Sequence, residues 1–177
     1  RAMEKFSRVL DTIARESISI VMIPMGSNNR RKWEVFREKA ISNPEILFIV
    51  SAGNDGRDLD KRPIYPASFE LENIMVVTSS DSFGQLATGS NWGSKSVDLM
   101  VPAERVDVID HRGAKLKASG SSYAVPRVAA LAARLKIKNP NWSMNEIKKA
   151  IFDKAVPPRM RDENVVRIGW IPNPKSD

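Results

Sequence analysis

Two apolar patterns alternate along the chain. Apolar residues spaced three and four positions apart predict helices, whereas unbroken runs rich in β-branched residues predict buried strands. The predicted helices cover residues 3–17, 33–41 and 122–137, and a fourth begins at Ser143. The predicted strands cover residues 18–25, 46–50, 74–78 and 97–101, and residues 104–118 predict a strand and a hairpin that turns at 111–113. Continuously apolar strands that alternate with helices indicate an α/β fold, a three-layer sandwich with a mainly parallel sheet.

Local signals also mark boundaries near the C-terminus. Ser143 followed three residues later by Glu146 forms a capping box that starts the fourth helix, and this helix is predicted to end before Pro157. The proline-rich tail over residues 157–177 is expected to pack along the surface through Val165, Val166, Ile168 and Trp170.

Residues 120–126, Gly-Ser-Ser-Tyr-Ala-Val-Pro, are the most informative segment. Pro126 has no N–H and cannot bond the carbonyl of Ser122, so a helix that contains Pro126 must begin near Ser122. A serine hydroxyl at a helix origin lies close to free N–H groups and to the positive end of the helix dipole, which favours a developing oxyanion. The alternative is that Ser121 or Ser122 is an ordinary N-cap.

The amino-acid composition excludes several classes of protein. At 177 residues and 42% hydrophobic, the chain is predicted to form one domain over residues 1–177. It has no apolar run of about 18 residues that would predict a membrane span, and its first five residues carry charge where a signal peptide needs an apolar stretch. The absence of cysteine excludes disulfides, thiol catalysis and cysteine-ligated zinc, and the single histidine, His111, excludes a multi-histidine metal site.

The net charge of +7 raises the alternative of a nucleic-acid partner. The basic residues are scattered among acidic ones, without an aromatic-interleaved basic stripe, zinc-finger spacing or a ribonucleoprotein motif. This pattern favours a solvated surface, so we expect neither a nucleic-acid nor a membrane partner. Affinity for nucleic acid that falls steeply with salt would support the alternative.

Five segments, in this order, resemble motifs of the subtilisin-like serine peptidases (subtilases). Residues 119–130 are similar to the nucleophile motif Gly-Thr-Ser-Met-Ala-x-Pro-His-Val-Ala-Gly, and residues 50–54 to the strand and turn that carry the oxyanion-hole asparagine. The other three segments are 65–67 with the strand over 74–77, 90–93 with 97–103, and 139–143. The resemblance covers residues 6 to 170, and the fold that it implies is subtilisin-like.

The resemblance implies a serine endopeptidase with Ser122 as nucleophile and Asn54 as a donor in the oxyanion hole. It also implies two walls of a substrate pocket, formed by Met25, Gly26 and Ser27 and by Ser51, Ala52 and Gly53. The turn alone favours the alternative that Asn54 is a loop asparagine that closes an Asx-turn, whereas the alignment with Ser122 favours the oxyanion role. The family requires no cofactor, calcium is expected only from the resemblance, and an extracellular or periplasmic location is implied in the same way.

A serine hydroxyl needs a neighbouring base, and the base needs an orienting acid. The family places both earlier, in Asp-x-Gly and His-Gly-Thr motifs, and neither motif occurs here. The chain therefore resembles an incomplete, C-terminal half of the catalytic domain. We expect its partners to be the N-terminal half that supplies Asp and His, or a second copy through self-association, and a polypeptide substrate. His111 is an alternative base, although a surface turn explains it better.

Several positions depart from the family pattern. Pro24 and Ser27 replace the usual Ser and Gly of the substrate-binding strand, Arg127 replaces a histidine, and Ala130 replaces a glycine. These departures motivate a second hypothesis, a catalytically inactive subtilase-like module that binds peptide or protein. The acidic residues Asp55, Asp58 and Asp60 allow two interpretations, a solvated loop or an acidic rim that favours basic substrates; their spacing is not that of an EF-hand calcium loop.

Overall fold

The computed structural model describes residues 2–158 and 164–175. Its helices are α1 (Ala2–Arg15), α2 (Glu34–Ser42), α3 (Ser121–Lys138) and α4 (Met144–Phe152), with a 3₁₀ turn over Arg30–Trp33. Its strands are β1 (Ile20–Ile23), β2 (Leu47–Ser51), β3 (Ile74–Ser80), β4 (Leu99–Pro102), β5 (Val106–Ile109), β6 (Lys115–Ala118) and β7 (Gly169–Trp170). None of the helices within these residues is long and apolar enough to cross a membrane.

The main sheet has five strands in the order β1-β2-β3-β4-β7, and every pair is parallel. The strands β5 and β6 form a separate antiparallel hairpin, as the sequence predicted. Parallel strands need helical crossovers that cover the faces of the sheet. The predicted α/β class with a mainly parallel sheet is therefore confirmed.

Side chains on alternate positions of β2 enter two different cores. Phe48 and Val50 pack with α1 and α2 on one face, whereas Leu47 and Ile49 pack with α3 and α4 on the other. All five residues of β2 are buried. A strand that is apolar on both faces is stable only between two helical layers. The continuous apolar run over residues 46–50 therefore correctly predicted a sheet covered by helices on both faces.

The strand β1 is shorter than the predicted run over 18–25. It ends at Ile23 because Pro24 has no N–H to give to a ladder. It pairs only with β2, which makes it an edge strand of the sheet within the described residues. Its edge position also explains why Met22 is half exposed despite lying in an apolar run.

The C-terminal tail contains a strand that the sequence did not predict. Gly169 and Trp170 pair with Leu99 and Met100 and extend the sheet beyond β4. Two residues are too few for an alternating pattern, so periodicity could not reveal β7. The tail packs through the predicted apolar residues, because Val165, Val166 and Trp170 are buried and Ile168 is partly buried. Its residues 159–163 lie outside the described residues.

The predicted capping box at α4 is present. Ser143 Oγ accepts the backbone N–H of Glu146 at 3.2 Å, and the Glu146 carboxylate accepts the N–H of Ser143 at 2.7 Å. Hydrogen bonds from Ser143 hold the pKa of Glu146 below its usual value. The buried face of α4, through Met144, Ile147 and Ile151, packs on the core that contains α3.

We predict that Ser143→Ala in the full-length protein lowers the free energy of unfolding by about 1 kcal/mol, because it removes the N-cap acceptor of α4. Denaturant unfolding followed by circular dichroism measures this change. Ser143→Asp is the matched control, since it keeps an acceptor at the cap and should retain most of the stability. Equal destabilisation by the two variants would contradict the cap assignment.

Candidate active site

The candidate site lies at the carboxyl edge of the parallel sheet. The strands β1 and β2 end side by side at Ile23 and Ser51, and the helix α3 begins opposite their loops. In α/β sheets this edge is the usual position of ligand sites. A pocket of about 410 Å³ opens here. Its lining residues are Pro24, Met25, Gly26, Ser27, Asn28, Ser51, Gly53, Asn54, Asp55, Arg57, Ile64 and Ser122.

Ser122 lies in the first turn of α3, as Pro126 predicted. The helix begins at Ser121, and its N-cap is Gly120, which makes no side-chain cap bond. The alternative that Ser121 or Ser122 serves as an N-cap is therefore wrong. Ser122 Oγ instead donates to the carbonyl of Pro24 at 2.9 Å, which brings α3 against the loop after β1. Of the neighbouring N–H groups in this turn, that of Ser121 donates to Asn54 Oδ1 and that of Tyr123 donates to the Gly120 carbonyl.

Asn54 does not close an Asx-turn but binds the start of α3. Its Oδ1 accepts the backbone N–H of Ser121 at 2.8 Å and Ser121 Oγ at 3.0 Å. A backbone N–H can only donate, so the amide oxygen must face Ser121 and the orientation of the side chain is fixed. The amide nitrogen Nδ2 has no hydrogen-bond partner among the described residues, and Asn54 is exposed beside Ser122 in the pocket.

A buried hydroxyl network supports this orientation. Ser121 is fully buried, and its Oγ lies 2.7 Å from Ser51 Oγ and accepts the N–H of Gly53 at 3.1 Å. The single hydroxyl hydrogen of Ser121 goes to Asn54 Oδ1, so Ser51 is the donor in the contact between the two serines. The network joins the end of β2, the turn that follows it and the first turn of α3.

Five of the six predicted wall residues line the pocket, namely Met25, Gly26, Ser27, Ser51 and Gly53. Ala52 does not line it. Its side chain is buried in the core that contains α2, and its N–H donates to the carbonyl of Val77 in β3. The chain stays extended from β2 through Ala52, and successive side chains of an extended chain point to opposite faces. Ala52 therefore faces the core, whereas Ser51 and Gly53 on either side of it line the pocket.

The first wall is held by the segment around Tyr65. Ser27 and Tyr65 exchange two backbone hydrogen bonds of 2.8 Å, and Ser27 Oγ accepts the indole N–H of Trp33 at 3.1 Å. A Cβ on Gly26 would lie 2.8 Å from the Tyr65 carbonyl and 2.9 Å from Ile64 Cγ2. Only glycine permits this approach, so the wall and Ile64 close one side of the pocket together.

The acidic residues after Asn54 have separate roles. Asp55 lines the pocket, with its carboxylate 3.7 Å from Arg57 Nε. Asp58 pairs with Lys61 and accepts the N–H of Asp60. Burial raises the pKa of Asp60, but hydrogen bonds from Ser96, Lys95 and Ser94 outweigh it and lower the pKa below its usual value.

The oxygens of Asp58 and Asp60 accept hydrogen bonds from neighbouring residues of the chain. Within residues 2–158 and 164–175, no group of three or more acidic or histidine side chains is arranged to hold a metal ion. Calcium stays an expectation of the resemblance alone.

A sequence model of the subtilase family matches residues 13–170. The chain belongs to the subtilase family. It is 28% identical over 139 residues to a thermostable alkaline protease of Halalkalibacterium halodurans, a match that covers 78% of this chain and 37% of the relative. It is 24% identical over 154 residues to subtilisin BL of Lederbergia lenta, which covers 87% of this chain and 55% of the relative.

Solved subtilase structures share the fold. A cold adapted subtilisin-like serine proteinase superposes with a TM-score of 0.80 at 21% identity, over 99% of this chain and 62% of that one. A chain from a structure of the subtilase cytotoxin SubAB superposes with a TM-score of 0.82 at 20% identity, over 96% of this chain and 62% of that one. The subtilase chain described here therefore spans under two thirds of the length of these relatives.

Two departures from the subtilase pattern lie on α3. Arg127 is half buried, and its Nε is buried without a hydrogen-bond partner among the described residues. Burial holds the pKa of Arg127 below its usual value. Ala130 is exposed, so its methyl group has room in this part of the subtilase domain. His111 lies at the exposed turn of the hairpin and does not line the pocket around Ser122.

A larger cavity of about 680 Å³ lies at the opposite edge of the subtilase sheet, where β3 and β4 begin. It contains none of the predicted site residues. Lys148 donates there to the carbonyls of Glu72 and Ile74, and burial lowers the pKa of this lysine. Asp98 accepts the N–H of Val76 and the guanidinium N–H of Arg167. The charged side chains around this cavity therefore hold α4 and the C-terminal tail against the sheet.

The sequence did not reveal the roles of several residues that shape the subtilase site, among them Asn28, which lines the pocket. Ser121 was considered only as a cap, although it fixes the Asn54 amide. Arg57 and Ile64 line the pocket without having been predicted to do so. No local pattern marks these roles, because the contacts of Ser121 with Asn54 join positions 67 residues apart.

We predict that Ser121→Ala in the full-length protein lowers the free energy of unfolding by about 1 to 2 kcal/mol, because Ser51, Gly53 and Asn54 each lose a buried partner. Chemical denaturation measures the loss. Ser121→Thr keeps the hydroxyl and should stay closer to the wild type. If the alanine variant unfolds at the wild-type denaturant midpoint, the network does not hold the turn as described.

Proposed function

We propose that this chain carries the nucleophile and the oxyanion hole of a subtilisin-type serine endopeptidase. The observation that carries the proposal is the fixed amide of Asn54. Its oxygen is held by Ser121, which leaves Nδ2 as a free donor in the same pocket as the Ser122 hydroxyl. Family membership and the names of the relatives, which are serine proteases, support the same reaction class.

In the proposed mechanism, Ser122 Oγ attacks the carbonyl carbon of a peptide bond. The carbonyl oxygen becomes an oxyanion, which accepts from the Ser122 backbone N–H and from Asn54 Nδ2. With both donors held in position before the reaction, little reorganisation would be needed as the negative charge develops. The loops 25–27 and 51–53 would then hold the residue that precedes the cleaved bond.

The base and its orienting acid are proposed to lie on a preceding segment of the same catalytic domain. Ser122 Oγ donates to the Pro24 carbonyl, which is not a base that can take the proton. In the working enzyme a histidine must replace this acceptor, and an aspartate must hold the histidine. Ser122 is half buried and lines the open pocket, so a histidine from outside the described residues could approach its hydroxyl.

Two adjacent surfaces support a companion segment. Among residues 2–158 and 164–175, one edge of β1 has no strand paired to it, and edges of this kind bind another strand. The helix α3, which packs against β1, exposes an apolar stripe of Pro126, Ala130, Ala133 and Ile137, spaced four, three and four residues apart. Ile137 is 78% exposed. Arg127, beside this stripe, has a buried Nε that needs an acceptor.

A second candidate function is a catalytically inactive module that binds peptide or protein. Pro24 motivates it, because this residue lacks an N–H at the start of the loop that would pair with substrate. The hydrogen bond from Ser122 to Pro24 also holds the hydroxyl away from other acceptors. Such a module would bind peptide in the same pocket without reacting at Ser122.

We predict that the full-length protein reacts covalently with a fluorophosphonate probe at Ser122 and hydrolyses peptide substrates. Asn54→Ala should lower kcat on the order of 10² to 10³ by removing one oxyanion donor, and Ser122→Ala should abolish labelling. Gel fluorescence and peptide mapping report the labelled residue. Ser82→Ala, which alters an exposed turn serine, is the control and should label normally.

This labelling experiment distinguishes the peptidase from the inactive binding module. Absence of labelling in the correctly folded wild type, together with peptide binding that Ser122→Ala leaves intact, would overturn the peptidase and support the binding module. Labelling at another serine would overturn the assignment of Ser122.

We also predict that residues 1–177 produced alone self-associate or fail to hold a compact fold, because β1 and the α3 stripe stay uncovered. Co-expression with the preceding part of the domain should give a stable one-to-one complex. Sedimentation velocity distinguishes the outcomes. A well-folded monomer of this chain alone would contradict the companion segment.

A further inference from the structure

Asn91 lies between β3 and β4 and is fully buried. Its side chain contacts the loop that follows β2, although the two are 34 to 39 residues apart in sequence. Oδ1 accepts the backbone N–H groups of Asp55 and Arg57, both at 2.9 Å, and Nδ2 donates to the carbonyl of Ala52 at 2.8 Å. One side chain therefore binds the loop on both sides of Asn54.

The main chain of Asn91 binds the same loop. Its N–H donates to the carbonyl of Gly53 at 3.0 Å. Gly53 has φ +98, and a Cβ there would lie 2.6 Å from Asn91 Nδ2. The close approach of Asn91 thus requires glycine at this position. Four of the residues around Asn54, at positions 52, 53, 55 and 57, are bonded to Asn91.

The central sheet holds Asn91 in turn. Thr78, a fully buried residue of β3, donates its hydroxyl to the carbonyl of Asn91 at 2.6 Å. The N–H of Ala52 donates to the neighbouring Val77 carbonyl at 2.9 Å. The turn that carries Asn54 is consequently fixed to a central strand by a continuous series of hydrogen bonds.

We propose that Asn91 is a positioning residue that sets the turn carrying Asn54, and thereby aims the oxyanion donor. The proposal rests on the proposed function for its catalytic consequence, but the positioning of the turn is a structural claim that can be tested separately. Asn91 does not line the pocket, so it acts through the backbone of residues 52–57.

The test compares Asn91→Ala with Asn73→Ala in the full-length protein. Asn73 is a matched control, because it is also buried and its Nδ2 donates to the backbone carbonyls of Ala40 and Asn43, away from the pocket. Both variants should lose stability.

At a temperature where all variants are folded, Asn91→Ala should lower kcat on the order of 10² while KM changes little, since the displaced donor acts on the transition state. Asn73→Ala should keep the wild-type kcat. A wild-type kcat in Asn91→Ala, or equal losses in the two alanine variants, would overturn the catalytic consequence.

Amide hydrogen exchange tests the positioning independently of activity. In Asn91→Ala the amides of residues 53–57 should exchange faster than in the wild type, whereas Asn73→Ala should leave them protected. Unchanged protection in Asn91→Ala would overturn the proposal even if activity falls. An inactive wild type would instead refute the proposed function, and the exchange result would still decide whether Asn91 positions the turn.

Discussion

The pair of hydrogen bonds from Ser121 to Asn54 Oδ1 is the contact on which the site depends. It joins the first turn of α3 to the turn after β2 and fixes an amide that would otherwise rotate freely. Because the oxygen is occupied by a backbone N–H, the nitrogen is left as the donor beside Ser122. The buried serines on one side and Asn91 on the other restrict the same turn from two directions.

Energy magnitudes explain why so many polar groups converge on one turn. A typical buried hydrogen bond contributes only about 1 kcal/mol net to folding. A well-aimed oxyanion donor contributes about 2.7 to 4 kcal/mol to the transition state. In the proposed mechanism, the network would therefore affect the reaction rate more than the stability, because it holds one side chain in place. Such a network buries polar groups, and each of them needs a hydrogen-bond partner. The central sheet supplies two of these partners, the Thr78 hydroxyl for the Asn91 carbonyl and the Val77 carbonyl for the Ala52 N–H.

Periodicity was sufficient for the fold and insufficient for the site. The long apolar runs of β2 and β3 and the capping box of α4 act locally, so the sequence predicted them within a few residues. Because Pro126 has no backbone N–H, it predicted that the helix begins near Ser122. The strand β7, the burial of the Ala52 side chain in the core and the contacts of Ser121 and Asn91 depend on residues tens of positions apart. Roles of that kind follow from tertiary packing, which no single-sequence pattern encodes; the roles of Ser122 and Asn54 remain predictions.

We propose that Asn54 Nδ2 and the Ser122 N–H form an oxyanion hole beside a nucleophilic serine. The most direct measurement is a crystal structure of the full-length protein treated with a peptidyl boronic acid. We predict a covalent bond from boron to Ser122 Oγ and a boronate oxygen at about 2.7 to 3.1 Å from Asn54 Nδ2, with Asn54 Oδ1 still bound to Ser121. An adduct whose oxygen faces away from Asn54, or an unmodified Ser122 in a well-ordered site, would contradict it.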